Sequence, residues 1–140
     1  SLVRGEEKEE EIWDLVLGVF EKLNNSFVSD SLVYYYFFWN LVTILGYQPE
    51  LNNCSFCQRK LVPENLYFNP DQGGVICNNC FRELKSGRKI DPETIKLLRF
   101  LIREDWEGLK KINIDQSYER KLEDISNVYL SYFKDILNPS

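Results

Sequence analysis

The chain has 140 residues, 44% of them apolar, and a formal net charge of −5. This length and composition suit one ordinary domain or two small ones and exclude an intrinsically disordered protein. The acidic total argues against a protein that coats nucleic acid along its whole surface.

Residues 6–23 predict an amphipathic helix. Its apolar residues recur at helical spacing and are expected to share one buried face: Ile12, Leu15, Val16, Val19, Phe20 and Leu23. Five glutamates come before them and are expected in the first turns, where the helix dipole favours negative charge: Glu6, Glu7, Glu9, Glu10 and Glu11. Asn24-Asn25-Ser26 would end the helix. We interpret the acidic run as a solvated helix start and not as a binding tail.

Residues 32–45 are apolar on nearly every side of a second predicted helix, which Ser29 or Asp30 would cap and Gly46 would end. The segment is too short for a membrane span, which needs roughly 20 apolar residues. A helix without a polar face must be surrounded, so we expect the central helix of a bundle. Alternatively, its aromatic side chains form a pocket for a partner peptide.

The four cysteines of the chain form two Cys-x2-Cys pairs with nineteen residues between them, and the chain has no histidine. They are Cys54, Cys57, Cys77 and Cys80. This spacing predicts one zinc ion held by four thiolates. Because thiolates would fill all four coordination positions, no catalytic water could bind, and we expect a structural site in a protein that is not an enzyme.

Two disulfides or a redox pair are the competing interpretations of these cysteines. The cysteine content is low for a small disulfide-rich domain, and the apolar residues suffice for a core without disulfides. A thioredoxin-like pair would need a βαβ context, which the sequence does not show. Zinc is therefore favoured over both.

Between the two cysteine pairs, residues 66–68 and 75–76 are short apolar runs on either side of a turn rich in Pro, Asp and Gly. This pattern predicts a β-hairpin that leads the chain into the second pair. Basic residues collect in the same segment: Arg59, Lys60, Arg82, Lys85, Arg88 and Lys89. Their charge either offsets the thiolates or forms a small patch that contacts DNA phosphates, and the sequence leaves both hypotheses open.

Helical patterns resume after the second pair. Asp91-Pro92-Glu93 provides a cap, a first-position proline and a first-turn acid, and a helix through Trp106 follows. A last helix ends at Asn138-Pro139, and one face of it is apolar: Tyr118, Leu122, Ile125, Tyr129, Tyr132, Phe133 and Ile136. The predicted fold is mainly α, a helical bundle with an inserted β-hairpin zinc-finger module. Residues 1–50 and 91–140 would form the bundle and residues 51–90 the module.

The segments beside the cysteines carry a family resemblance. Leu45-Gly46-Tyr47-Gln48-Pro49-Glu50-Leu51 precedes the first pair, and Gly73-Gly74-Val75-Ile76 leads into the second. With the helices around them, they resemble the C-terminal region of the bacterial RecO family of DNA repair and recombination mediators. The resemblance runs from about Ile12 to Phe133. Family members often carry a glycine after the first pair, where this chain has Gln58.

The resemblance implies a function. RecO proteins join an N-terminal oligonucleotide-binding barrel to a helical, zinc-bearing region, anneal strands, and bind single- and double-stranded DNA. They act with RecR and the single-strand DNA-binding protein to load RecA, and the helical region docks the acidic, hydrophobic C-terminal tail of the single-strand DNA-binding protein. A bacterial, cytoplasmic, nucleoid-associated protein without membrane contact is implied. Because no barrel pattern precedes Ile12, we expect an excised C-terminal fragment with weak DNA binding.

Two alternatives remain. An Arf-type GTPase-activating domain also carries paired Cys-x2-Cys motifs, and Arg82 or Arg88 would have to serve as its arginine finger. The other alternative is a plain zinc-ribbon module that binds a protein partner and has no role with DNA.

Overall fold

The computed structural model describes residues 2–24, 30–103 and 116–137. This part of the chain contains five α-helices: α1 (Leu2–Leu23), α2 (Asp30–Ile44), α3 (Asn78–Leu84), α4 (Pro92–Ile102) and α5 (Gln116–Leu137). Three strands, β1 (Leu66–Asn69), β2 (Gly74–Cys77) and β3 (Arg88–Ile90), form one antiparallel sheet in the order β2-β1-β3. The predicted class, mainly α with a small β element at the cysteines, is confirmed.

The described residues divide into two compact units. One unit holds residues 2–24, 30–48 and 100–103, and the other holds residues 49–99 and 116–137. The division predicted from the sequence, with borders after residues 50 and 90, stays a prediction. No described helix is both long and apolar enough to cross a membrane.

In the first unit, α1 begins earlier than the sequence pattern indicated. It starts at Leu2, so its first turn contains no acidic residue, and the dipole argument for the glutamates was wrong. Its contact with α2 covers part of the predicted apolar face. Leu15 is buried, whereas Phe20 and Leu23 are exposed against expectation. The apolar pattern is wider than the surface that α2 covers. The predicted end at Asn25-Ser26 lies outside the described residues.

The C-terminal end of α2 is closed as predicted by Gly46. The Tyr47 N–H donates to the Val42 carbonyl at 2.8 Å, and the Gly46 N–H donates to the Thr43 carbonyl at 3.0 Å. This Schellman pair needs a residue with positive φ, and Gly46 has φ +96°. At the other end the helix begins with Asp30, and the second candidate cap, Ser29, lies outside the described residues.

Seven of the fifteen residues of α2 are buried, so the burial expected from its sequence is only partial. Trp39 is fully buried, whereas Tyr34 and, directly after the helix, Leu45 are exposed, so the expectation of a helix covered on all sides was too strong. The buried Asn40 side chain donates to the carbonyls of Tyr36 and Leu101, both at 2.8 Å. Its amide thereby ties α2 to the last turn of α4, and its hydrogen bonds offset the cost of burying a polar group.

In the second unit, the predicted hairpin is part of a three-stranded sheet, whose third strand was not predicted. β1 pairs with β2 as expected, and it also pairs with β3 on its other edge. Register places Tyr67 opposite Ile76 and Lys89, whereas Phe68 lies opposite Val75 and Arg88. Because successive side chains of a strand point to opposite faces, the two sets lie on opposite sides of the sheet.

The two helices after the sheet follow their sequence patterns with corrections at the ends. The Asp91 carboxylate caps α4 by accepting from the Thr94 N–H at 2.8 Å, as predicted. Leu122, Ile125 and Tyr129 form the buried centre of α5, but Ile136 is exposed where burial was expected. Trp106 and the predicted end at Asn138-Pro139 lie outside the described residues.

Candidate metal centre

The first cysteine pair lies in a tight hairpin of irregular backbone. The Cys54 N–H donates to the Arg59 carbonyl at 2.7 Å, and the Gln58 N–H donates to the Cys54 carbonyl at 2.9 Å. The Cys57 N–H points at the Cys54 Sγ, 3.5 Å away. Gln58 has φ +69°, a left-handed conformation that glycine adopts without strain. This explains why a glycine suits the position where this chain has Gln58.

The second pair joins the end of β2 to the start of α3. Cys77 is the last residue of β2 and the cap residue of α3, and Cys80 lies in the first turn of that helix. The Cys77 N–H donates to the Cys54 Sγ at 3.4 Å. A strand that ends where a helix begins therefore brings both cysteines of this pair to the same place.

The four sulfur atoms meet in one cluster. All four Sγ atoms lie within 4.8 Å of one another, and the Sγ atoms of Cys57 and Cys77 are 4.0 Å apart. All four cysteines are free of disulfides. A tetrahedron with metal–sulfur bonds of about 2.3 Å has sulfur–sulfur edges of about 3.8 Å. The cluster could hold one metal ion with little rearrangement.

The environment of the sulfurs favours a bound cation. Burial raises the pKa of Cys54, but hydrogen bonds from the backbone N–H groups of Cys57, Cys77 and Phe56, and from the Cys57 side chain, outweigh it and lower the pKa to about 6. Burial raises the pKa of Cys80, and hydrogen bonds with the other three cysteines and the charge of Cys54 raise it further. The Cys54 thiolate therefore forms readily, and its negative charge opposes ionisation of Cys80. A bound metal cation would reverse this effect, because its positive charge stabilises both thiolates.

A close backbone contact holds the first pair against β2. The Val75 N–H donates to the Glu50 carbonyl, and the Ser55 N–H donates to the Val75 carbonyl, both at 2.9 Å. A Cβ atom on Gly74 would collide with the Glu50 carbonyl and lie 2.6 Å from the Glu50 nitrogen. Only glycine allows this approach, which places Cys54 next to the end of β2.

The interior of the module is small and partly aromatic. Cys54, Ile76 and Cys80 form its buried centre. The rings of Tyr67 and Phe81 stack beside them, with centroids 3.7 Å apart and planes 5° from parallel. This cluster contains few buried residues, so a metal ion bound by the four sulfurs would contribute much of the stability on this side of the sheet.

The basic residues proposed for DNA contact are all exposed, but Arg88 and Lys89 lie on opposite faces of the sheet. The exposed set is Arg59, Lys60, Arg82, Lys85, Arg88 and Lys89. Arg88 forms an ion pair with Asp124 of α5 at 2.9 Å. Lys89 lies on the other face of the sheet, beside Tyr67. Lys85 has φ +57° and is the C-terminal cap residue of α3, so its backbone conformation also ends this helix.

A small apolar cleft near the cysteines was not foreseen from the sequence. Its volume is about 140 Å³, and its walls are mostly apolar: Leu51, Leu61, Val62, Pro63, Leu66, Pro92, Ile95 and Arg99. The Arg99 guanidinium donates to the Leu51 carbonyl at 2.6 Å. Its Nε is buried and has no hydrogen-bond partner among the described residues. Residues 48 positions apart meet here, and no local sequence pattern indicates such a contact.

Comparisons with known proteins agree with the resemblance seen in the sequence. The family described as "Recombination protein O C terminal" matches residues 1–133. A protein named DNA repair protein RecO from Dehalococcoides mccartyi is 33% identical over 112 residues, which cover 80% of this chain and 44% of that protein. A protein of the same name from Caldanaerobacter subterraneus is 29% identical over 81% of this chain and 44% of its own length. Another from Prosthecochloris aestuarii is 32% identical over 75% of this chain and 43% of its own length.

The chain therefore spans less than half the length of these curated relatives. No solved structure shows significant similarity to it. Because the family match covers nearly the whole chain, and because the cysteine cluster and its flanking segments lie within the match, the chain belongs to the family of recombination protein O C-terminal regions.

Proposed function

We propose that this chain is a zinc-stabilised, non-catalytic platform within a bacterial DNA repair and recombination mediator. It would hold protein partners and make weak contact with DNA while strands are annealed and RecA is loaded. The observation that carries the proposal is the cluster of four sulfurs inside a chain of this family. The compartment that fits this role is the cytoplasm, at the nucleoid during repair.

Zinc is the ion that best suits the donor set. Soft thiolates select zinc or iron–sulfur clusters, and four of them in a tetrahedron are typical of structural zinc. Cys54, Cys57, Cys77 and Cys80 would hold the ion and leave no position open for water. The ion would then stabilise the module, because the affinity of such a site is also folding free energy.

The cleft beside Arg99 suits the proposed tail of the single-strand DNA-binding protein. An acidic, hydrophobic tail needs an apolar cavity with a positively charged side chain beside it. The cleft has apolar walls, and Arg99 is the charged residue among its lining residues. The buried Nε of Arg99 still has a hydrogen-bond donor to offer. RecR would be a second partner.

Binding of a synthetic tail peptide tests this part of the proposal. Val62 is an exposed wall of the cleft, so Val62→Glu places a negative charge in the path of the acidic tail and should weaken binding at least roughly tenfold. Ile136→Glu is the matched control, because Ile136 is similarly exposed on α5 and does not line the cleft. Equal effects of the two substitutions on peptide binding would show that the tail does not bind in the cleft. If the chain bound neither the tail peptide nor RecR, the plain zinc-ribbon module would be the remaining interpretation.

DNA contact is proposed to be weak and electrostatic. Affinity for a single-stranded oligonucleotide should fall steeply with salt, because basic side chains displace counterions from phosphates. Alanine at Arg82, Lys85, Arg88 and Lys89 together should abolish most of that binding, and unchanged binding would refute a role of these side chains in DNA contact. The Arf-type alternative gains no support, since the matching family is a different one and Arg88 already pairs with Asp124.

A further inference from the structure

One face of α1 carries three large apolar side chains that are exposed within the part of the chain that the structure describes. Trp13, Leu17 and Phe20 are 60%, 63% and 62% exposed. They follow at i, i+4 and i+7, so they form one continuous line along the helix, here named the α1 stripe. Single exposed apolar residues are common, but a contiguous exposed group of this size indicates an interaction surface.

The α1 stripe lies beyond the part of α1 that contacts α2. Leu15 is buried and represents the inward face, which contacts α2. At 100° per residue, Leu17 lies roughly 160° around the helix from Leu15. Ile12, Val16 and Val19 lie between these two lines, so α1 has one wide apolar face, and its contact with α2 covers only part of that face.

The α1 stripe has an acidic border. Glu6, Glu9 and Glu10 continue the same side of the helix toward its N-terminus, and Asp14 and Glu21 lie along one flank. All five carboxylates are exposed, and none forms an ion pair within the part of the chain that the structure describes. A partner that covers the apolar centre would meet negative charge at the rim.

We infer that the α1 stripe docks a basic amphipathic helical segment of a partner protein. Leucine-like side chains of that segment would cover Trp13, Leu17 and Phe20, and its lysines or arginines would meet the glutamates. A second copy of this chain would bring like charges together, and an anionic bilayer would repel the same rim. This inference does not rest on the function proposed above.

A designed peptide pair tests the inference on the chain as it stands. The probe is an 18-residue helical peptide with leucines on one face and lysines on the other, and its counterpart carries glutamates in place of the lysines. The lysine peptide should bind and the glutamate peptide should not. Combined alanine substitution of Trp13, Leu17 and Phe20 should weaken binding at least roughly tenfold, because exposed anchors carry most of the energy of such interfaces.

Two further variants test whether binding is specific to the α1 stripe and how much its acidic border contributes. Tyr34→Ala removes an equally exposed aromatic ring from α2 and should leave binding unchanged. Glu6→Gln, Glu9→Gln and Glu10→Gln together should weaken binding several-fold and flatten its salt dependence. Three results would overturn the inference: equal binding of both peptides, lysine-peptide binding that survives the triple alanine variant, or a dimer in sedimentation that the triple variant abolishes. The last would assign the α1 stripe to a second copy.

Discussion

The ring of Phe68 on β1 meets the ring of Tyr129 on α5 edge to face, with centroids 5.4 Å apart and an interplanar angle of 83°. Both residues are buried. Phe68 is on the side of the sheet away from Tyr67 and the cysteine cluster, so this contact joins the sheet that supports the sulfurs to the last helix. The metal module and α5 thus share an apolar core, although 60 residues separate the two rings in sequence.

Truncation of Phe68 measures this contact. Phe68→Ala should lower the free energy of unfolding by about 3–5 kcal/mol, the usual range for a buried phenylalanine. Urea unfolding followed by circular dichroism would record the change. Phe56→Ala is the matched control, because Phe56 is 41% exposed beside the first cysteine pair and should contribute little. Similar losses in both variants would contradict a shared core at Phe68.

Gly74 should tolerate no side chain. Gly74→Ala places a Cβ against the Glu50 backbone and should cost about 1–3 kcal/mol of stability through steric strain. Gly18→Ala provides the control, since a Cβ there meets only the flexible end of Lys22 at 3.7 Å. In the helix interior this second change should stabilise the chain by about 0.5–1 kcal/mol. A neutral Gly74→Ala would show that the first cysteine pair is not held by this approach.

The left-handed backbone at Gln58 predicts an unusual mutational pattern. Gln58→Gly should keep or raise stability, by up to about 1 kcal/mol, because glycine adopts this φ without strain. Gln58→Ile should lower stability and metal affinity, since a β-branched side chain is poorly accommodated at positive φ. Competition with a chromogenic chelator would rank the three proteins. An isoleucine variant equal to the glycine variant would argue against strain at this position.

Asp91 should make the stability of α4 depend on pH. Burial raises the pKa of Asp91, but hydrogen bonds from Lys121 and from Thr94, together with the charge of Lys121, outweigh it and hold the pKa below its usual value. The stabilisation is therefore present above the unfolded pKa of about 3.9 and is lost as pH falls toward the folded value.

Two substitutions at Asp91 separate the cap from the charge. Asp91→Ala should cost about 1 kcal/mol at neutral pH through loss of the cap. Asp91→Asn keeps a capping side chain and should remove this residue's share of the acid dependence. Stability curves measured between pH 3 and about pH 7 would compare them. If the asparagine variant kept the full acid dependence, other carboxylates would be its source.

The sequence predicts the fold wherever a pattern is long or a cap is chemically specific. The helices α1 and α5 are long and periodic, and α2 is a long apolar run. Gly46 and Asp91 mark helix ends through positive φ and a side-chain hydrogen bond. The cysteine spacing likewise predicts the cluster, because two short turns bring the sulfurs together in any such hairpin.

Other features depend on tertiary contacts that no local pattern records. β3 has three residues, two of them charged, and it becomes a strand because the free edge of β1 is available. The seven residues of α3 are too few for a periodic pattern. Phe20 was expected inside because its spacing matches Ile12 and Val16, but the width of the neighbouring helix decides how much of an apolar face is covered.

The central claim is that four thiolates hold one structural zinc ion, and metal content tests it most directly. Protein purified without chelator should carry about one zinc per chain by mass spectrometry, and the Cys54→Ser, Cys80→Ser double variant should carry almost none. Chelation should release the ion together with four reactive thiols and unfold the sheet around them. A metal-free protein whose intact mass shows two disulfides would contradict the account.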